Sequence, residues 1–345
     1  MDEVKMIGID LAKGVFEVCL KAADGRVLES RRVKRGAFER YLMKLPRVRV
    51  GLEAGPGAHY WARWLEGQGF AVKMMSPRAV RAYRSGPHKS DRLDADAVGE
   101  AAGRAGVRAV AVKSEAAQTL QALVRVRDRR VAERTRVVNQ LRGLLLEFGI
   151  ATSRNLVAWY PRVAETPAFA ALPARPRALF DELFAEAQAL DRRVKELDQE
   201  LARGAAADPL ARRLTGAPGI GPINAVQLAA QIVEPGDFDN ARAMPAYLGV
   251  VPRLIASGQS ARLGPITKHG PAELRKTLVL GSHAVITAAL RHPDRTDPVY
   301  VFARRLIAKG KPRNVVAVAV ANKLARIVCA MLKSGRPYDP AYTAR

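Results

Sequence analysis

An α/β N-terminal domain on a mixed sheet, followed by a long and mainly helical remainder, is the fold class this 345-residue sequence predicts. Three observations lead there. Short apolar runs separated by turn signals fill the chain up to Met75. Heptad-spaced apolar residues take over after Ser114. The chain is also long enough for more than one core.

The strands come first. Val4 to Leu11 reads as a buried strand, Val15 to Lys21 as a second, Ala22-Ala23-Asp24-Gly25 as a hairpin turn and Val27 to Val33 as a third. Phe38, Tyr41, Leu42 and Leu45 have helical spacing, and Val48 to Glu53 is a fourth strand closed by Gly55-Pro56-Gly57. A helix through Tyr60, Trp61, Trp64 and Leu65 leads to the strand Ala71 to Met75. An RNase H-like (RuvC-like) mixed sheet satisfies the order β-β-β-α-β-α-β, as would a short βαβ domain of another kind.

Long helices follow. Val124, Val131, Val138 and Leu145 recur every seven residues, and Phe180, Leu183, Ala187, Leu190, Val194, Leu197 and Leu201 keep an a/d alternation. The second stripe is a coiled-coil candidate, with helices packed inside one α-helical domain as the alternative. Pro161, Pro167, Pro173 and Pro176 between the stripes suggest a hinge. Thr215-Gly216-Ala217-Pro218-Gly219-Ile220-Gly221 then enters a helix from Ile223, a helix-hairpin-helix-like element. Its Gly219 and Gly221 would offer backbone N–H groups to a sugar-phosphate backbone. The expected domains are 1–112, nuclease-like; 113–207, helical or coiled coil; and 208–345, C-terminal.

Charge narrows the partner. Lys and Arg number 57 against 33 Asp and Glu, a formal +24 that calls for a polyanion, nucleic acid first. Residues 251–345 hold 17 of the cations and only four carboxylates. Within them Arg253, Arg262, Lys268, His269, Arg275 and Lys276 are the candidate nucleic-acid contacts. No apolar run reaching the ~20 residues of a bilayer span is read, and Met1 to Lys5 enters a strand directly, so neither a membrane nor a signal peptide is expected. Cys19 and Cys329 stand far apart among apolar residues, which fits a reducing cytoplasm and argues against a zinc cluster. The five histidines show no metal-ligand spacing.

Asp10 and Glu53 each close an apolar strand, where a carboxylate is costly to bury without a compensating ion. Asp91 and Asp94 share a helix face if a helix begins near Ser90. Singly each has a bland explanation: a helix cap, a first-turn carboxylate, a surface charge. Together they form a set able to hold two Mg²⁺ ions about 4 Å apart for phosphoryl transfer.

The string Ile7-Gly8-Ile9-Asp10-Leu11-Ala12-Lys13, then Glu53, then Lys89-Ser90-Asp91-Arg92-Leu93-Asp94-Ala95 is followed by Ala246-Tyr247-Leu248-Gly249-Val250-Val251-Pro252, Ser257-Gly258 and Ile266-Thr267-Lys268-His269-Gly270. In this order and spacing they resemble the DEDD transposases of the insertion sequence 110 family. The resemblance implies a RuvC-like domain binding Mg²⁺ (or Mn²⁺) through Asp10, Glu53, Asp91 and Asp94, and a serine, Ser257, that joins covalently to DNA. It further implies a structured bridge RNA that pairs with donor and target DNA, and dimers paired into tetramers partly through a coiled coil. Members commonly have a serine before the nucleophile and two glycines after it; here Ala256 and Gln259 stand instead, which leaves Ser260 as the alternative nucleophile. Asp96 is an extra carboxylate off the metal-facing side. A RuvC-like junction nuclease, a non-catalytic nucleic-acid scaffold and a pilin-type DNA invertase are the competing functions.

Overall fold

Strand alternation and a repeated glycine organise the N-terminal sheet. In β1 (Met6–Asp10) Ile7 and Ile9 are buried on one side, and in β4 (Arg49–Glu53) Val50 and Leu52 do the same. The residues between them, Gly8 and Gly51, face the other side. β1 pairs antiparallel with β2 (Val15–Lys21), which pairs antiparallel with β3 (Val27–Lys34). On its other edge β1 pairs parallel with β4, and β4 with β5 (Ala71–Met75), giving the order β3-β2-β1-β4-β5. The helices α1 (Arg35–Leu42) and α2 (Ala58–Gly67) complete the expected β-β-β-α-β-α-β sequence. Phe38 and Trp61 from these helices pack on Phe16 of β2, with ring centroids 4.3 to 5.4 Å apart.

The structure is a computed structural model that describes residues 3–84, 90–152, 156–232, 238, 240–257 and 260–341, with the backbone alone at 156, 159, 257 and 260. It divides into two units, Met1–Ser114 and Glu115–Arg345. The first unit ends with α3 (Pro77–Arg81) and α4 (Asp91–Gly103), a helix of small residues lying on the glycine face of the sheet. A Cβ on Gly8 would come within 2.2 Å of the Ala95 carbonyl oxygen, and one on Gly51 within 2.7 Å of Ala102 Cβ. Only glycine allows α4 so close.

In the second unit α5 (Glu115–Glu147) and α8 (Ala174–Ala207) run antiparallel, as the ion pairs Arg127–Asp198 and Arg134–Asp191 require. The α8 stripe is buried at Phe180, Ala187, Val194, Leu197 and Leu201. It packs inside this chain, the bundle alternative, rather than awaiting a second copy. On α5 the buried residues are Val124, Val137, Leu141 and Leu145; Val131 and Val138 of the seven-residue repeat are only half-buried.

The proline-rich interval, expected as a hinge, carries secondary structure of its own. It folds as α6 (Leu156–Ala164) and α7 (Pro167–Ala170), with Val163 and Phe169 packed on Leu141, Leu145 and Phe180. Pro167 occupies the first turn of its helix and Pro173 precedes α8, positions that need no backbone N–H.

α9 (Pro209–Leu214), α10 (Pro222–Gln231) and α11 (Ala243–Leu248) lead into a β-hairpin, β6 (Pro252–Ser257) and β7 (Ser260–Ile266), that the sequence reading did not anticipate. α12 (Ala272–Arg291), α13 (Pro298–Ala308) and α14 (Arg313–Ser334) close the core. By length and composition α14 could cross a bilayer, contrary to expectation. Its apolar face, from Val316 to Leu332, is instead part of the core of this unit.

Candidate functional site

Strand parity carries the first two carboxylates to one face. Asp10 lies two residues beyond Gly8 and Glu53 two beyond Gly51, so both face α4 at the ends of adjacent parallel strands. α4 starts where Ser90 Oγ accepts the Leu93 N–H at 3.3 Å, which puts Asp91 and Asp94 in its first turn. Asp94 is buried, at 7% exposure. Burial and the neighbouring charges of Asp94, Asp91 and Glu53 push Asp10 up to about 6, while Arg84 pulls it down. Glu53, Asp91 and Asp94 therefore all act electrostatically on Asp10.

The oxygens of Glu53, Asp91 and Asp94 are turned onto arginines. Arg84 Nη2 donates to Glu53 Oε2 at 3.2 Å, and its Nε lies 3.0 Å from Asp94 Oδ1. Arg32 sits 3.5 Å from both Asp91 Oδ2 and the buried Glu17, which pairs in register with Asp10. Among the described residues no three carboxylate, histidine or cysteine groups converge tightly enough to hold a metal as they stand. The donor set nevertheless fits a hard divalent cation: four hard oxygen donors, mutually repelling, with cationic side chains occupying the space between them. Asp96 does lie off this cluster, because it pairs with the buried Lys21 at 2.5 Å, beside Glu100 at 3.2 Å. Burial alone would lower the Lys21 ammonium's pKa, but the hydrogen bonds of these two carboxylates hold it above its ordinary value.

The second candidate region is the β6–β7 hairpin. Ser257 stands opposite Ser260 in register at its far end; their side chains, Gly258 and Gln259 lie outside the described residues. The base of the hairpin is clamped. Gly249 caps α11 at φ 68°, and Gly270 at φ 77° passes so close to Tyr247 that a Cβ would come within 1.8 Å of its carbonyl oxygen. Lys268 between them takes φ 54°, strained for a side-chain-bearing residue, and donates its backbone N–H to Gly249. Arg275 Nη1 ties the clamp to α12 by donating to the Leu248 and His269 carbonyls at 3.1 and 3.2 Å.

Comparison with known proteins now decides the family. A DEDD transposase model of the IS110 type matches residues 7–150, and a second, described as transposase IS116/IS110/IS902 family, matches residues 211–296. A probable family 20 transposase of Pseudomonas aeruginosa is 39% identical over 97% of this chain and 98% of its own. The chain belongs to the IS110 transposase family. The transposase for insertion sequence element IS1111A of Coxiella burnetii is 34% identical over 98% of this chain and 92% of its own, and a pilin gene-inverting protein of Moraxella bovis is 32% identical over 35% and 36%. The protein is thus a transposase, an enzyme that cuts and rejoins DNA, from a family that uses divalent metal.

The other expected contacts fall differently in this transposase. Gly219, at φ 78°, turns into the core, where a Cβ would come within 2.8 Å of the Gly281 carbonyl of α12. Its role in the fold is close helix approach. Gly221 is open at the start of α10 and keeps a free edge. Arg253, Arg262, Lys268 and His269 are exposed on and below the hairpin, whereas Lys276 pairs with Asp128 of α5 at 3.1 Å. Sequence reasoning missed Arg84, Arg32 and Glu17. Glu17 was reachable: the antiparallel register that a short hairpin imposes puts it opposite Asp10. His88 and Lys89 lie outside the described residues.

Proposed function

We propose that this transposase breaks and rejoins DNA with an RNase H-like (RuvC-like) domain, residues 1–112, and a serine nucleophile, Ser257, carried by a C-terminal domain, residues 208–345, with residues 113–207 as the helical connection. The observation that carries the reading is the meeting of Asp10, Glu53, Asp91 and Asp94 on one face, where burial, with the charges of Asp94, Asp91 and Glu53, pushes Asp10 up to about 6. These four would hold Mg²⁺, with Mn²⁺ as substitute, and Arg84 and Arg32 would be released toward phosphate. A bound divalent cation supplies Lewis-acid stabilisation of charge on the phosphoryl oxygens. In the protein's own step the Ser257 hydroxyl attacks phosphorus, a serine–phosphate ester forms, the bond to one deoxyribose oxygen breaks, and that oxygen takes up the proton. Arg253 and Arg262 on the same hairpin and Lys268 at its base suit the developing charge. A structured guide RNA and assembly of several copies complete the reading, in a reducing cytoplasm consistent with two buried free thiols.

Incubating the protein with labelled element-end DNA should yield a protein–DNA adduct on a denaturing gel. The adduct should vanish in Ser257→Ala and Asp10→Ala but survive in Ser260→Ala. An adduct persisting in Ser257→Ala moves the nucleophile elsewhere, and cutting without any adduct favours a water-using junction nuclease. The pilin gene-inverting relative supports a second reading, a site-specific DNA invertase; recovering inverted rather than excised DNA would select it.

A further inference from the structure

Leu254 and Leu263 are 69% and 73% exposed, the two most exposed of the large apolar side chains among the described residues. They are not scattered. They stand directly opposite each other in the β6–β7 register, so both side chains project from one face of the ribbon, with Ala256 and Ala261 next along that face. The neighbouring pair is different: Ile255 stands opposite Arg262 on the other face, and its side chain leans over Gly264, where a Cβ would come within 2.9 Å of Ile255 Cδ1. One face of the ribbon carries Ile255, 43% exposed, beside the exposed Arg262, and the other holds up two leucines whose burial is unrealised.

Charge chooses the occupant. From Asn240 to Ala272 the sequence contains no Asp or Glu, while Arg242, Arg253, Arg262 and Lys268 fall within it. A second copy of this chain carries the same net +24 and so is on balance repelled by this basic stretch. A polyanion with apolar surface between its charges is the good match, and duplex DNA is that: phosphates outside, base faces within. A two-stranded ribbon has the width to enter a groove, and leucine is among the side chains that wedge between base steps and unstack them. The glycine clamp at Gly249 and Gly270, with Arg275 holding it, supplies the rigid base a wedge needs.

We infer that Leu254 and Leu263 form an apolar wedge that inserts against the bases of the DNA substrate and opens one base step beside the end of the hairpin. Arg253 and Arg262, one residue along each strand from the leucines, add positive charge that draws the ribbon to the phosphates, Arg262 from its other face. The inference requires only that the protein acts on DNA, and it stands whichever serine attacks.

The test uses the full chain and element-end duplexes with 2-aminopurine placed at successive steps. Binding of the native protein should raise the fluorescence severalfold at one or two adjacent steps. In Leu254→Ser/Leu263→Ser, whose replaced side chains face solvent, that rise should disappear, with severalfold weaker binding but an unchanged salt dependence, because no phosphate contact is lost. Arg253→Gln/Arg262→Gln should do the opposite and reduce the salt dependence. Far-UV circular dichroism and the thermal midpoint verify that each variant is folded. No fluorescence rise with native protein, an equal rise with the leucine variant, or loss of oligomeric mass by that variant without DNA would overturn the wedge, the last assigning the leucines to a second copy. If the Ser257→Ala adduct test fails while the rise persists, the nucleophile assignment falls and the wedge remains.

Discussion

At the scale of single residues, Arg84 is the side chain that links the fold to its chemistry. It is bonded to both Glu53 and Asp94, so a cation reaching those oxygens must displace it. Arg84→Gln is expected to bind Mn²⁺ several-fold more tightly in a titration followed by electron paramagnetic resonance. Unchanged or weaker binding would mean that the guanidinium does not stand over the metal position. Two further groups titrate with opposite sign. Asp10 is raised from 3.8 to about 6, so its contribution favours the fold below pH 3.8 and is lost as pH rises through about 6. His59 is lowered from 6.5 to about 4 by burial and by Lys113 and Arg63; its Nδ1 accepts the Lys113 N–H at 3.2 Å. Its contribution is present above pH 6.5 and is lost as pH falls through about 4. In chelator, denaturant midpoints of the native protein should change little across this window. His59→Gln should become less stable as pH rises from 4 to 6, and Asp10→Asn more stable as pH rises from 4 to 6.5. Parallel curves for all three proteins would refute both assignments.

At the scale of elements, the position of α4 rests on Gly8 and Gly51. A methyl at either meets α4, with contacts of 2.2 Å at Gly8 and 2.7 Å at Gly51. Gly8→Ala is expected to cost about 1–3 kcal/mol in a denaturant titration, with reduced Mn²⁺ affinity because Asp91 and Asp94 move with the helix. Wild-type metal affinity in Gly8→Ala would show that the helix position is not what assembles the carboxylates. The five sheet strands were legible because one face is buried and alternation reports it: β2 and β5 run as read, and the others shift by one or two residues at their ends. β6 and β7 were not legible, because the apolar residues of an exposed ribbon carry no inside-to-outside alternation. The one available signal was Gly258-Gln259 between two apolar runs, the composition of a tight hairpin turn. The heptads were legible as stripes, but whether a stripe meets its own chain or another depends on a partner helix 27 residues away, α5 ending at Glu147 and α8 beginning at Ala174.

At the scale of the whole molecule, a net +24 governs how the protein meets its substrate. Nucleic-acid affinity should fall linearly on a logarithmic salt scale, with a slope of roughly −0.9 for each phosphate neutralised on duplex DNA. Replacing Arg253, Arg262 and Lys268 with Gln should flatten that slope by up to about three such increments. A slope unchanged by the triple substitution would place the grip elsewhere in the basic C-terminal stretch.

The sequence by itself determined the fold class of the N-terminal unit, the helical character of the rest, the polyanionic partner and the placement of Asp10 and Glu53 at strand ends and of Asp91 and Asp94 at a helix start, because composition, period and strand parity can be read without knowing which segments meet. Only the tertiary structure decided that Gly219 is packing surface, that the α8 stripe is covered within the chain, that Asp96 serves Lys21, and that Arg84 lies between Glu53 and Asp94. Each of those depends on which distant segment fills the space beside a residue, and close packing assigns that space only when the whole chain has folded.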